Sequence, residues 1–206
     1  MHRVPSALFW LLAPAALGLW LIVAIPSRWH GIDTGSIGAA LLLAVAATGL
    51  WLSGRIPDDG ASQRSPGEQG RWVALVFTGL IGALMAVHAG SFAGARTIAE
   101  LEGIGRPIAM LLVGWLILAS IARRRPGTGV QVDERDREVA RAADAASHVA
   151  LALAVVAIAV TLGLTPPARL SWASPIAVAN LLMFALVAAA FVGHGAALWH
   201  YRCDRA

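Results

Sequence analysis

Histidine is the residue type in this chain with the widest range of chemistry, and the chain has six. Imidazole nitrogens bind metals, and two histidines from different helices can ligate a haem iron from both sides. His148 and His194 form the best pair for haem b, because glycines flank His194 and would leave room for a flat macrocycle. His88 is a third candidate ligand. The competing interpretation, which we favour, is that the histidines lie apart and bond to water or backbone, with no cofactor.

A run of charges follows Pro126-Gly-Thr-Gly129, which stops any helix before it. Asp133 is placed as the N-cap of a new helix, with Asp136 at the capping-box position. Glu138 and Arg141 are spaced i,i+3, which favours an ion pair on that helix. No nucleophile or metal cluster accompanies these charges, so we expect a partner-binding surface rather than a catalytic one. Its residues are Asp133, Glu134, Arg135, Asp136, Arg137 and Arg141. The alternative is a well-capped helix start and nothing more.

Other kinds of site find little support in the sequence. The chain has no phosphate-binding loop, no dinucleotide fingerprint, no nucleophile elbow and no H-E-x-x-H zinc motif. Cys203 is the only cysteine, which excludes a disulfide framework and a multi-cysteine metal centre. A basic domain interleaved with aromatic residues is also missing, so we expect no nucleic acid as a partner. The chain is therefore expected not to be an enzyme.

The elements that would position these residues are apolar. Hydrophobic residues make up 58% of the chain and charged residues 14%, against about 25% charged in soluble domains. Stretches near 20 residues match the hydrocarbon thickness of a bilayer. Six such stretches are predicted: Ser6–Ile25, Gly35–Ser53, Trp72–Ala93, Pro107–Ala122, His148–Leu164 and Pro175–Trp199. The predicted fold is an all-α integral membrane bundle of six helices in three transmembrane hairpins.

The arginines orient this bundle. The chain has 16 basic residues, all arginine, and twelve lie on one side of the six predicted spans. The positive-inside rule makes that side cytoplasmic, with both termini there, so the expected location is a bacterial inner membrane. No acid or arginine falls in mid-span, which argues against an ion-coupled transporter that uses a buried carboxylate. A small transporter or channel lined by hydroxyls and histidines remains an alternative.

The chain divides into three predicted parts. Residues 1–53 form an N-terminal hairpin, 54–71 a mobile Gly/Pro/Ser-rich cytoplasmic linker, and 72–206 a four-helix module. Between the third and fourth spans we expect a short interfacial helix, broken at Gly103-x-Gly105-x-Pro107. Several small-x3-small patterns favour close packing of helices, within the chain or between copies in an oligomer.

The helix after the charged run is unusually long. No helix breaker occurs before Gly163, so a single helix of about 45 Å is expected from about Glu134 to Leu164, longer than the hydrocarbon is thick. Its first turns, 133–148, should leave the membrane on the cytoplasmic side. Val139, Ala142 and Ala143 belong to its less polar face.

Asp133-Glu134-Arg135-Asp136, followed by a small-residue helix, resembles a motif of small bacterial multi-pass proteins of unknown function. In those proteins a D-E-R-D/E sequence lies between two transmembrane hairpins, and the likeness covers about 71–206 of this chain. Those proteins often have a lysine where this chain has 140–142. Some of them resemble partners of small DNA-binding regulators, so the resemblance implies a regulatory or scaffolding role with a cytoplasmic protein partner.

Overall fold

The computed structural model describes residues 6–24, 28–29, 32–53, 66–124 and 134–203, and these are almost entirely helical. The helices are α1 (Ser6–Val23), α2 (Thr34–Ser53), α3 (Pro66–Val87), α4 (Ala89–Gly94), α5 (Ile98–Arg124), α6 (Glu134–Leu164) and α7 (Pro175–Cys203). Strands β1 (Arg28–Trp29) and β2 (Ile32–Asp33) pair antiparallel between α1 and α2. One 3-10 turn, Pro167–Arg169, lies between α6 and α7.

Among the described residues, five helices are long and apolar enough to cross a membrane. Their qualifying stretches are Thr34–Leu52, Gly70–Val87, Ile98–Ile121, Asp136–Leu164 and Pro175–Cys203. The described apolar stretch of α1, Trp10–Val23, is shorter. The all-α class is confirmed, whereas the sixth span and the arrangement in three hairpins belong to the proposal below.

Contacts group the chain into two compact units. The first comprises Met1–Ser62 and Leu101–Pro126. Inside it, α1 and α2 cross so closely that a Cβ on Gly38 would lie 2.5 Å from the Gly18 carbonyl oxygen. Helix α5 meets α2 at Gly114, where an added Cβ would lie 2.5 Å from Leu43. Glycine at these crossings lets the helix backbones approach where lipid provides no hydrophobic drive.

The second unit comprises Gln63–Glu100 and Gly127–Ala206, with α7 packed against both α6 and α3. On the α6 side, a Cβ on Gly193 would lie 3.0 Å from the Ser147 Cβ. On the α3 side, a Cβ on Gly79 would lie 3.0 Å from the Phe191 ring. Thr78 is buried on α3, and its hydroxyl donates to the Ala74 carbonyl at 2.8 Å, so this hydroxyl is paired.

Three predicted boundaries are wrong. Helix α5 runs unbroken through Gly103, Gly105 and Pro107. The Pro107 ring packs on Gly35, whose Cβ would lie 2.6 Å from it, so a tertiary contact offsets the missing proline N–H. Helix α3 starts at Pro66, which makes the end of the predicted linker (66–71) helical, while 54–65 lies outside the described residues.

The third boundary is the end of the predicted span Trp72–Ala93. Helix α3 stops at Val87, and α4 begins after His88, whose backbone adopts φ −95° and ψ 8°. The predicted modules, 1–53 and 72–206, stay a prediction. The single helix from Glu134 to Leu164 is confirmed.

Candidate functional site

Helices α6 and α7 are longer than a membrane requires. They have 31 and 29 residues, whereas a span needs about 20. Counted from Leu164, a span of about 20 residues reaches back near Ala145. Counted forward from Pro175, it ends near His194. The surplus of both helices therefore lies at the same end of the pair, and we call residues 134–148 the α6 extension.

The α6 extension is fastened to the last turns of α7. Val139 and Ala143 are buried in a cluster with Ala197 and Tyr201 of α7. The Tyr201 hydroxyl donates a 2.8 Å hydrogen bond to Asp136 Oδ1. The predicted apolar face is thus confirmed at Val139 and Ala143. Because Tyr201 is 6% exposed, this contact holds the extension as a rigid continuation of the span rather than a free arm.

The opposite face of the α6 extension is exposed and polar. Arg137, Arg141, Asp144 and His148 follow one another at i, i+4, i+7 and i+11, and each is exposed. At 100° per residue this spacing places them in one stripe, about opposite to Val139 and Ala143. We call these four residues the α6 stripe.

The structure separates the predicted partner-binding residues into groups. Asp133 lies outside the described residues, and the side chains of Glu134 and Arg135 do too, although both residues are helical. Asp136 faces α7 and is engaged by Tyr201. Arg137 and Arg141 point away from α7 and are exposed.

The predicted ion pair between Glu138 and Arg141 is not formed. Both side chains are exposed, and neither makes an ion pair with the described residues. The physical reason is that a solvated i,i+3 pair gains only a few tenths of a kcal/mol, too little to hold two long side chains in one geometry. Arg141 is therefore exposed and forms no ion pair with the described residues.

Tyr201 is the residue that sequence reasoning missed. It is the chain's single tyrosine, and it lies in the last turn of α7. A phenol joins an apolar ring to a polar tip, so it suits a site where a helix leaves its apolar neighbours and needs a hydrogen bond. Two features of the sequence could have pointed to Tyr201: it is the only tyrosine, and it lies just after the last apolar stretch.

The candidate haem ligands lie in different surroundings. His148 is exposed on α6, and His88 is half-buried at the break between α3 and α4. His194 is half-buried on α7, and its Nδ1 lies 3.4 Å from an Arg71 guanidinium nitrogen of α3. The space that a haem would need beside His194 is occupied on the Gly193 side by Ser147. In the described ranges no group of three or more metal-binding side chains comes together. Haem ligation stays a prediction.

A second charged group belongs to the first unit and has a structural role. Asp33 accepts hydrogen bonds from the Ser36 backbone N–H at 2.9 Å and from the Ser36 hydroxyl at 2.7 Å, which caps the start of α2. Arg106 of α5 lies 3.1 Å from Asp33 Oδ2, the oxygen that also accepts the Ser36 hydroxyl. These contacts account for Asp33 and Arg106 within the unit itself.

The α6 stripe carries charged and polar groups that are suited to recognition of another molecule. It presents two guanidinium groups, a carboxylate and an imidazole on a fixed helix, with no nucleophile or metal cluster beside them among the described residues. Guanidinium groups in this setting suit carboxylates, which they can bind through paired hydrogen bonds. No family model, curated protein or solved structure matches this chain.

Proposed function

We propose that this chain is a multi-pass inner-membrane protein of six spans with a regulatory or scaffolding role and no enzymatic activity. In this proposal both termini are cytoplasmic, and the α6 extension holds a cytoplasmic protein partner at the membrane. The binding surface is the α6 stripe, with Arg137 and Arg141 as its main contacts.

The proposal rests on the difference between the two faces of the α6 extension, one buried on α7 and the other exposed. Its apolar face is already buried on α7, and its one acid toward α7 is paired with Tyr201. Anchoring is thus complete without the arginines, which remain exposed at a position beyond the length that a span needs. A helix face that is rigid, charged and not used for folding is suited to binding another molecule, because little conformational entropy is lost when it docks.

The partner we infer is a soluble protein that presents carboxylates to Arg137 and Arg141. The two residues are one helical turn apart, so their guanidinium groups can meet two acids on one partner helix or loop. Asp144 follows one turn later and favours a basic group at the end of the same partner surface. Binding should weaken with rising salt.

The test uses a photo-reactive amino acid at Ala145, which is small, exposed and beside the α6 stripe. We expect a discrete cross-linked adduct in cells that express the protein. The charge reversals Arg137→Glu and Arg141→Glu together should remove it. The matched Arg137→Lys and Arg141→Lys variant should retain most of it, because the charge is kept.

Two outcomes would contradict the proposal. One is the absence of any adduct from Ala145 in the wild-type chain, and the other is an adduct that persists in the charge-reversed variant. The same reactive group at Leu153, which is 65% exposed in the apolar part of α6, controls for contacts made inside the membrane. It should yield no adduct that depends on Arg137 and Arg141.

A further inference from the structure

A basic and aromatic cluster lies where α3 begins and α7 ends. The Arg202 guanidinium carbon lies 5.5 Å from the centroid of the Trp72 ring, within cation–π range. Arg71 precedes Trp72 on α3 and reaches His194 of α7, with 3.4 Å between the nitrogens. We call Arg71, Trp72 and Arg202 the α3–α7 cluster.

In the described part of the chain, the arginines of this cluster are held by an aromatic ring and a histidine. Neither Arg71 nor Arg202 forms an ion pair with a carboxylate in the described part of the chain. Glu68, one turn earlier on α3, is 3% exposed and has an interaction of its own. Two arginines that are placed by an aromatic ring and a histidine, rather than by acids, leave an electropositive site open to an anion.

The indole of Trp72 adds a second sign of an incomplete site. Its Nε1 is buried and has no hydrogen-bond partner among the described residues. An unpaired buried donor costs about 1–3 kcal/mol, and such groups in folded proteins call for an explanation. This unpaired N–H belongs to the same side chain whose ring Arg202 contacts.

The position of the cluster relative to the membrane indicates which kind of anion it binds. The apolar stretch of α3 starts at Gly70, so Arg71 and Trp72 lie at the boundary where phospholipid phosphates reside. An arginine stacked on a ring uses its face and leaves its N–H edge for the oxygens of a phosphate. Trp72 also offers an apolar surface to the start of the acyl chains.

We propose that the α3–α7 cluster binds the headgroup phosphate of an anionic membrane phospholipid. Arg202 forms the paired hydrogen bonds, Arg71 supplies the second charge, and Trp72 holds Arg202 in place. This site is separate from the α6 stripe and does not depend on a protein partner.

Native mass spectrometry of the full chain in a nonionic detergent tests the site. Phosphatidylglycerol and phosphatidylcholine with identical acyl chains are titrated in parallel. We expect tighter binding of phosphatidylglycerol, and Arg71→Gln and Arg202→Gln should each weaken it about fivefold. Arg202→Lys keeps the charge but loses the paired geometry, so its affinity should be intermediate. Arg169→Gln, at the opposite end of the α6–α7 pair, is the matched control and should change nothing.

Three results would overturn the site. Equal affinity of the wild-type chain for the two lipids would show that no anionic headgroup is selected, whatever the variants do. Equal loss in Arg169→Gln would show general charge attraction. Displacement of bound phosphatidylglycerol by millimolar inorganic phosphate would assign the cluster to a soluble anion instead. Unchanged elution on size exclusion verifies that each variant is folded.

Discussion

The α1–α2 and α6–α7 helix pairs both approach closely at a glycine, but they differ in the length of their helices. Both bring helix backbones together at glycine, Gly18 with Gly38 in one pair and Gly193 with Ser147 in the other. Helices α1 and α2 have 18 and 20 residues, close to the length of one span, whereas α6 and α7 have 31 and 29. The surplus of α6–α7 is ordered by Val139, Ala143 and Tyr201.

The two helix pairs also differ in how their charged residues are used. At the start of α2, a charge pair between Asp33 and Arg106 is formed inside the unit. At the start of α6, the contact to α7 uses a neutral phenol, and Arg137 and Arg141 form no ion pair with the described residues. An arginine paired with an acid fixes a fold, whereas an arginine held on a rigid helix without an acid is available to a partner.

The largest effect on stability is expected at the glycine crossing. In Gly38→Ala the new Cβ meets the Gly18 carbonyl oxygen, a backbone atom that cannot move alone. We expect a loss of about 1–3 kcal/mol in the free energy of unfolding, measured in detergent micelles. Gly163→Ala is the control, because no atom lies within 4 Å of its added Cβ. That substitution should leave stability unchanged or raise it. Equal losses in the two variants would refute the close crossing.

The next effect is expected from Tyr201→Phe, which keeps the ring and removes the hydroxyl that binds Asp136. We expect a local loss of about 1 kcal/mol, seen as faster amide hydrogen exchange across residues 136–143. Exchange in α2 serves as the internal control and should not change. If the α6 extension exchanges at its wild-type rate, the hydrogen bond does not order it.

A smaller effect is expected at the pair of Asp33 and Arg106. Arg106 is 58% exposed, so Arg106→Gln should lower the free energy of unfolding by less than about 1 kcal/mol, and high salt should erase the difference. Asp33→Asn should behave alike, because asparagine still caps α2. Asp33→Ala loses the cap as well and should be the worst of the three. Equal stability of Asp33→Ala and Asp33→Asn would contradict the capping role.

The smallest effect on stability is expected in the α6 stripe. Arg137→Gln and Arg141→Gln together should change the free energy of unfolding by no more than about 0.5 kcal/mol, because both side chains are exposed. The same variant should lose the adduct from Ala145. A large loss of stability would show that the arginines serve the fold, and the contrast between the two helix pairs would fail.

The sequence predicts more of the helices than of their contacts. The bounds of α6 follow from a charged first turn and the absence of a breaker before Gly163. The continuity of α5 through Pro107 does not, because it depends on Gly35, which is distant in sequence. Periodicity reveals which face of the α6 extension is apolar, but not that Tyr201 completes it from 65 residues away. Such pairings are set by packing between helices, for which a single sequence carries no signal.

Thiol labelling with a membrane-impermeant reagent tests the central claim most directly, namely that the surplus of α6 and α7 stands in the cytoplasm. Cys203 is exposed in the last turn of α7 and is the chain's only cysteine, so the wild-type protein carries one probe already. Arg141→Cys in a Cys203→Ser background places a second probe on the α6 extension. Both cysteines should react in inside-out vesicles and remain unlabelled in intact cells. Labelling of either one in intact cells, or protection of Arg141→Cys from the reagent in inside-out vesicles, would contradict the account.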